Sequence, residues 1–320
     1  MRRESMYQNS FLAIAQNKKS LKCERFLQEM NRIIPWDVLL QMIEPYYPVK
    51  ELGRKKKTLL MMLRIYFLQL WYSLSDPGVE EAIYDRMSFQ KFLGIDLLSE
   101  AIPDETTILN FRHLLEKHKL QEKFFNRINV MLEKKGLLVR EGTIVDATLL
   151  AAPSSTKNES GKRDDEMSST KKGANYYFGM KAHIGVDTKA GLVHSVIATT
   201  AKVSDRKKFH ELLHGEEKSI FGDKGYASKE DKRAARDAGM AWCVMDKGQP
   251  KHPLSAKQEK RNHQYASVRA KVEHPFQVLK CQWKFVKVRY RGLEKNAAQL
   301  FAMFGLINLF KVRKVLLQGA

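Results

Sequence analysis

The sequence predicts an α/β fold preceded by an all-helical segment. Three observations carry this expectation. Up to Gly136 the apolar residues recur at helical spacing, and from Gly142 onward short β-rich runs alternate with helical ones. A chain of 320 residues, 43% of them hydrophobic, can also bury a core large enough for two domains.

Within residues 1–136, the stretch from Lys55 to Leu74 reads as a long, strongly apolar helix that ends before the turn signal Asp76-Pro77-Gly78. One or two short helices come next and stop at Gly94. Asp104 is placed to cap the next helix, in which Ile108, Phe111, Leu114 and Leu115 recur at helical spacing. A further helix runs to Gly136. Short helices in this order fit a helix-turn-helix-like DNA reader, and equally a bundle that only supports the domain after it.

The pattern then changes. "GTIVDATLL" is a short strand, and the polar run Pro153–Tyr177 lacks any apolar period and reads as a loop or disordered insert. "GMKAHIGVD" and "LVHSVIATTA" form two strands joined by the turn Asp187–Gly191. A short helix from about Asp205 to His214 leads to the strand "KSIFGD". A basic helix Lys229–Gly239, the strand "AWCVMD" and a long helical region Ser255–Trp283 complete the run. Three strands that meander and two reached by helical crossovers make a mixed five-stranded sheet with flanking helices. "AAQLFAMFGLINLF" near the end is too short to span a bilayer and reads as a core helix.

Charge narrows the partners. There are 56 Lys+Arg against 36 Asp+Glu, a formal net of +20, which suits a polyanion: nucleic acid or an acidic membrane surface. Three scattered cysteines without a C-x-x-C point to reduced thiols in a cytosolic protein, and the polar N-terminus shows no signal peptide.

One string competes for attention. Phe209–Gly215, "FHELLHG", fits the zinc signature H-E-x-x-H. No glycine-spaced third histidine comes after His214, and Phe209, Leu212 and Leu213 form an apolar stripe suited to packing on a sheet. The expectation is a packing helix with His210 and His214 near solvent.

Carboxylates at the ends of apolar strands are better candidates, because a buried acid is costly unless it is paired or bound to a cation. Asp146 follows Thr143-Ile144-Val145, and Asp223 follows Ser219-Ile220-Phe221-Gly222. Asp187 and Asp246 read instead as turn residues. Glu273 is the third acid, on a helix where Arg269 and Lys280 fall on nearly the same face. Pro275 is expected to kink that helix just after Glu273. Three acids flanked by two cations suit a metal-bound phosphodiester, and in a basic α/β protein they imply two-metal phosphoryl transfer.

At this point the chain resembles the DDE transposases of bacterial insertion sequences, specifically the insertion-sequence-five family. The resemblance runs through "LSDPGVEEAIYDRMSFQKFLG", "IPDETTILNFRHLLE", "IVDATLLAAPSS", "KAHIGVDTKAGLVHSV", "FGDKGY", "RAKVEHPFQVLKCQ" and "RYRGLEKNAAQLF". It implies an RNase H-like catalytic domain over 137–290, with the insert at 153–177, a helical and DNA-binding domain over 1–136, and a C-terminal helix over 291–320. Asp146, Asp223 and Glu273 are then the catalytic acids and the ligands of Mg²⁺, with Mn²⁺ able to substitute.

The related insertion-sequence-four signature Y-x2-R-x3-E-x6-K is matched at Arg269, Glu273 and Lys280. Its tyrosine position holds Ala266, so Tyr265 receives no role. Arg269, Lys280 and Arg112 are expected to contact DNA. The implied activity is binding of terminal inverted repeats, cleavage to 3′-OH ends and joining of those ends to target DNA. The implied setting is the bacterial cytoplasm, on the nucleoid when DNA-bound, as a homodimer or higher assembly on double-stranded DNA and without a membrane partner. A nuclease that does not join strands, and a non-catalytic DNA-binding derivative, remain the alternatives.

Overall fold

The computed structural model describes residues 21–48, 57–95, 101–157, 161–248 and 252–319. The parts of the helical expectation at 1–20, 49–56 and 96–100, and of the insert at 158–160, lie outside the described residues.

Seven helices precede the sheet among those residues: α1 (Lys22–Ile33), α2 (Trp36–Ile43), α3 (Leu59–Tyr72), α4 (Asp76–Asp85), α5 (Met87–Leu93), α6 (Glu105–Lys117) and α7 (Leu120–Lys134). Local signals set their ends. Thr58 caps α3 by accepting from Met61 N, and Asp104 caps α6 by accepting from Thr107 N at 2.7 Å, as its position predicted. Asp76-Pro77-Gly78 is not a turn. Ser75 caps Gly78 N at 3.1 Å, and Pro77 lies in the first turn of α4, where its missing N–H has no intrahelical partner to lose. The chain reverses one step earlier, at Ser73, whose φ of 51° ends α3.

The sheet contains β1 (Gly142–Ala151), β2 (Ser168–Lys172), β3 (Asn175–Asp187), β4 (Val193–Thr200), β5 (Ser219–Gly222) and β6 (Ala241–Val244). β1, β3 and β4 meander antiparallel, while β5 and β6 join parallel to β1. The spatial order is β4-β3-β1-β5-β6, the mixed five-stranded, RNase H-like arrangement that was expected. β2 is a sixth strand and comes from the polar insert. It pairs Ser168–Lys172 with Gly179–Asn175, so part of the stretch read as loop is a hairpin. The backbone ladder supplies the order that apolar periodicity did not signal.

Helix α8 (Lys229–Asp237) lies between β5 and β6. α9 (Ala256–Arg269), α10 (Glu273–Gln277) and α11 (Leu293–Gln318) come after β6. The region expected as one long helix is broken just before Glu273, and again at Val278. A 3-10 turn spans Ala270–Val272, and a π turn spans Val278–Gln282. Pro275 cannot donate to the carbonyl four residues back, and the tighter turn lies where that bond would fall.

One face of the sheet shares a large core with the helices: Ile144, Leu150, Ala182, Ile184 and Val196 pack with Phe124, Phe125, Leu279, Phe304 and Ile307. The core reading of α11 therefore holds, and among the described residues no helix is long and apolar enough to cross a membrane. The other face carries a small core of Val145, Phe209, Leu212, Ile220, Tyr226 and Val244.

Candidate active site

Strand pairing sets the two aspartates side by side. The parallel register joins Gly142 to Ser219, Thr143 to Ile220 and Ile144 to Phe221. Continued two residues, it brings Asp146 level with Asp223, just past the end of β5. Adjacent strands are about 4.8 Å apart. The acids thus lie where the last ladder bonds end and backbone no longer fills the space between strands.

Glu273 reaches the same place through Arg269. The guanidinium donates from Nη2 to Asp146 Oδ2 at 3.0 Å and from Nη1 to Glu273 Oε1 at 3.2 Å. The four-residue spacing predicted that Arg269 and Glu273 share a face, and the 3-10 turn between them leaves that pairing intact. Asp146 Oδ1 accepts from Ala147 N at 2.8 Å, and Asp223 Oδ1 accepts from Gly225 N at 2.7 Å.

Asp146 is the group under electrostatic stress. Its side chain is 18% exposed, and burial raises its carboxyl to about 6, against the pull of Arg269 and the Ala147 amide; Asp223 and Asp205 push the same way as burial. Because the folded value lies above the unfolded 3.8, the folded protein holds a proton between about pH 4 and 6 that the unfolded chain has released. Stability therefore falls as pH rises through that window. Asp146→Asn is expected to stabilise the metal-free protein at pH 8 by about 2 kcal/mol and to flatten this slope. Thermal melts at pH 4.5 and 8 would check this, and a variant less stable than the wild type at pH 8 would count against it.

Three neighbours were not visible in the sequence. Asp205 comes from the loop after β4, pairs with Lys181 Nζ at 2.9 Å and stands 3.8 Å from His183 Nδ1. Burial holds His183 near 4, so it is neutral at ordinary pH. Tyr226, in the 3-10 turn after Asp223, is buried with no hydrogen-bond partner for Oη. Burial and the nearby acids Asp205, Asp146 and Asp223 raise its phenol well above the ordinary range. It is a neutral hydroxyl beside the acids. The "DKGY" string contains this tyrosine, but nothing local marks it as buried.

The remaining expectations divide. Lys280 is half-buried and donates to Leu149 O at 2.6 Å, three residues along β1 from Asp146. Arg112 is not exposed for a phosphate. It is 5% exposed, ion-paired to Asp76 at 3.1 Å and Glu116 at 2.8 Å, and stacked on Tyr290 at 4.0 Å. Those partners make it a clamp between helices and the segment before α11. Asp187 is a turn residue, as predicted: fully buried, it accepts from Lys189, Ala190 and Leu192 N.

"FHELLHG" is not an α-helix. The stretch expected as a helix from Asp205 to His214 forms two 3-10 turns, Asp205–Lys208 before the string and His210–Leu212 within it, and Phe209 and Leu212 point into the small core. His210 is exposed and meets Asp231 at 3.1 Å. His214, expected near solvent, is instead buried against His194 and 3.4 Å from Glu217. The two histidines do not share a face, and the zinc reading fails on geometry.

The donor set at Asp146, Asp223 and Glu273 is all carboxylate oxygen, the chemistry that hard divalent cations such as Mg²⁺ prefer. Among the described residues no three acid, histidine or cysteine side chains stand ready as a ligand set. Arg269 supplies the positive charge between Asp146 and Glu273. The residues fit a divalent cation in kind, with Arg269 holding two of them.

The family model described as "Transposase DDE domain" matches residues 138–309, more than half of the chain. This chain belongs to the DDE transposases. A second model, "Transposase domain (DUF772)", matches residues 15–114, in the helical part. Among solved structures, the transposase chain is similar to a piggyBac transposase in a synaptic complex with hairpin DNA. The identity is 10% over 93% of this chain and 75% of that one, with a TM-score of 0.45. It is also similar to a chain of a simian T-cell lymphotropic virus intasome bound to a PP2A regulatory subunit, B56 gamma. There the identity is 16% over 73% of this chain and 72% of that one, with a TM-score of 0.22.

Proposed function

We propose that this transposase is of the insertion-sequence-five type, and that it binds the terminal inverted repeats of its element, cleaves DNA to 3′-OH ends and joins them to target DNA in the bacterial cytoplasm. The observation that carries the reading is the level placement of Asp146 and Asp223 on adjacent parallel strands, with Glu273 tied to Asp146 through Arg269. In this reading residues 1–136 read DNA, 137–290 carry the chemistry, and 291–320 form a helix packed on both; the active assembly is a homodimer or larger.

Asp146, Asp223 and Glu273 would hold Mg²⁺, or Mn²⁺ in its place, which when bound activates the attacking hydroxyl and neutralises charge on the transferring phosphoryl group. The protein's own groups prepare that site. Arg269 orients two of the acids with separate N–H donors and, once they bind a cation, has a guanidinium to offer a phosphate oxygen. Lys280 adds a cation anchored on β1. Tyr226 Oη keeps its proton and is a donor beside the acids.

The test is a joining reaction. A pre-cut terminal-repeat end, incubated with the protein, Mg²⁺ and a supercoiled plasmid, is expected to give plasmid molecules covalently joined to the end. Hydrolysis without joined product would identify a nuclease, and binding without either would identify a non-catalytic derivative.

A further inference from the structure

Beyond the acids, the hairpin β2–β3 stands out as the most exposed built element of the sheet. Tyr176 is 75% and Tyr177 40% exposed, beside exposed Lys171 and Lys172. Residues 168–179, "SSTKKGANYYFG", contain two lysines and no acid. The two-residue turn Gly173-Ala174 closes the hairpin, with Gly173 at φ +64°, a conformation glycine reaches without strain. Lys171 pairs across the ladder with Tyr176, and its Nζ stands 5.6 Å from that ring.

The base of the hairpin is fixed. Met167 is buried, Arg163 lies 5.5 Å over Phe178, and Lys202 N donates to Ser168 Oγ. Two acids of the insert are used there: Asp164 accepts from Gly292 N at 2.8 Å and Glu166 from Leu293 N at 2.6 Å, at the start of α11. The acids of the described insert thus lie at the root, and the tip is cationic and aromatic.

The tip is also in line with the acids. Asp146 is opposite Ile184, and cross-strand partners share a face. Alternation along β3 places Tyr176 on the face of Ile184, eight residues along, roughly 26 Å away at the usual strand rise. Cations mark the path between. Lys280 is anchored at Leu149, exposed Lys287 bridges to Ala151, and Lys172 is close enough to Lys280 to help lower its pKa. Like charges gathered in a row are unfavourable alone and favourable under a polyanion.

We infer that the β2–β3 hairpin is a DNA-binding arm: Lys171, on the face of Tyr176, and Lys172, at the last ladder pair beside the turn, take backbone phosphates, and Tyr176 packs beside Lys171 on the duplex whose phosphodiester lies at Asp146, roughly seven to eight base pairs from the cut. This rests on the transposase reading and adds to it a contact site that neither the acids nor the helical segment supplies. The insert reads in the sequence as a loop or disordered; the ladder of Ser168–Lys172 with β3 makes the arm a preformed surface.

The experiment compares wild type, the double variant Lys171→Ala/Lys172→Ala, Tyr176→Ala and Tyr176→Phe on a terminal-repeat duplex. Affinity is read over a salt series, and the wild-type complex is footprinted. The double variant is expected to bind about tenfold more weakly at 0.15 M salt, with the salt slope reduced by about 2, one unit for each lost phosphate contact. Tyr176→Ala is expected to weaken binding several-fold without changing the slope, because it removes uncharged packing on the sugar-phosphate backbone, and Tyr176→Phe to restore it. Protection is expected at seven to eight base pairs from the cut. The substituted side chains all sit at the surface, so circular dichroism melts should coincide. A wild type that binds terminal repeats while the variants match its affinity and slope would overturn the arm alone, as would a footprint lacking that protection. Variants that lose self-association and keep DNA affinity would assign the hairpin to a protein interface instead. A wild type that binds no terminal-repeat DNA would overturn the transposase reading and the arm with it.

Discussion

Glu273→Gln is expected to reduce DNA cleavage by about three orders of magnitude while leaving terminal-repeat binding within about twofold. The substitution keeps the length and the Oε1 acceptor, so Arg269 Nη1 still has a partner at that position and its hold on Asp146 is undisturbed. What disappears is a negative charge among three carboxylates. Fold effects should be small, because the Glu273 side chain is 63% exposed and substitutions at such positions usually cost under about 0.5 kcal/mol. Cleavage of a labelled terminal-repeat duplex, with mobility shift on the same preparation, checks both halves. Cleavage within tenfold of wild type would remove Glu273 from the site.

The largest stability effect is expected far from the acids, at Asn308 on α11. Its side chain is 1% exposed and makes three hydrogen bonds. Oδ1 accepts from Val193 N at 2.8 Å, and Nδ2 donates to Val193 O at 2.7 Å and to Asn129 Oδ1 at 2.9 Å. One amide thereby joins α11, β4 and α7 in a site closed to water. Asn308→Ala leaves the Val193 N–H and the Asn129 oxygen unpartnered, and each such buried group costs about 1–3 kcal/mol. Val193 O keeps Asn129 Nδ2 as a donor at 3.1 Å, so the loss is not complete. The expected destabilisation is about 3 kcal/mol, read as a lower urea midpoint at unchanged slope. A drop below about 1 kcal/mol would show that α11 is held by its apolar face alone.

These two sites differ in how far they could be read in advance. The candidate acids drew notice because burial makes charge expensive: an aspartate within an apolar strand, as Asp146 is, or at the end of one, as Asp223 is, needs a reason to be there. Arg269 and Glu273 were legible because a spacing of four is a local property of helices. Asn308 showed only as a polar residue inside an apolar helix, and Arg112 only as a cation expected to contact DNA. Their partners, Val193 and Asn129 for one, Asp76 and Tyr290 for the other, are brought near by folding.

The same division explains "FHELLHG". A four-residue repeat of histidine is a helical signal only if the segment is α-helical. Phe209 and Leu212 bury themselves at three-residue spacing, and that packing selects 3-10 turns over the α-helix. His214 is then drawn against His194 of β4, a neighbour that no short window of sequence contains, and against Glu217 three residues on.

By itself, the sequence determined what depends on near neighbours along the chain: the caps at Asp104 and Ser255, the alternation of strands with helices, and the residue types offered at strand ends. Only the tertiary structure decided which charges meet. Asp146 beside Asp223 is a consequence of parallel register, Arg269 between two acids of a helix laid across β1, and the ordered arm at Lys171 and Tyr176 of a ladder with β3. The physical reason is that ionic and hydrogen-bond energies depend on distance and on exclusion of water, and both are set by the packed chain.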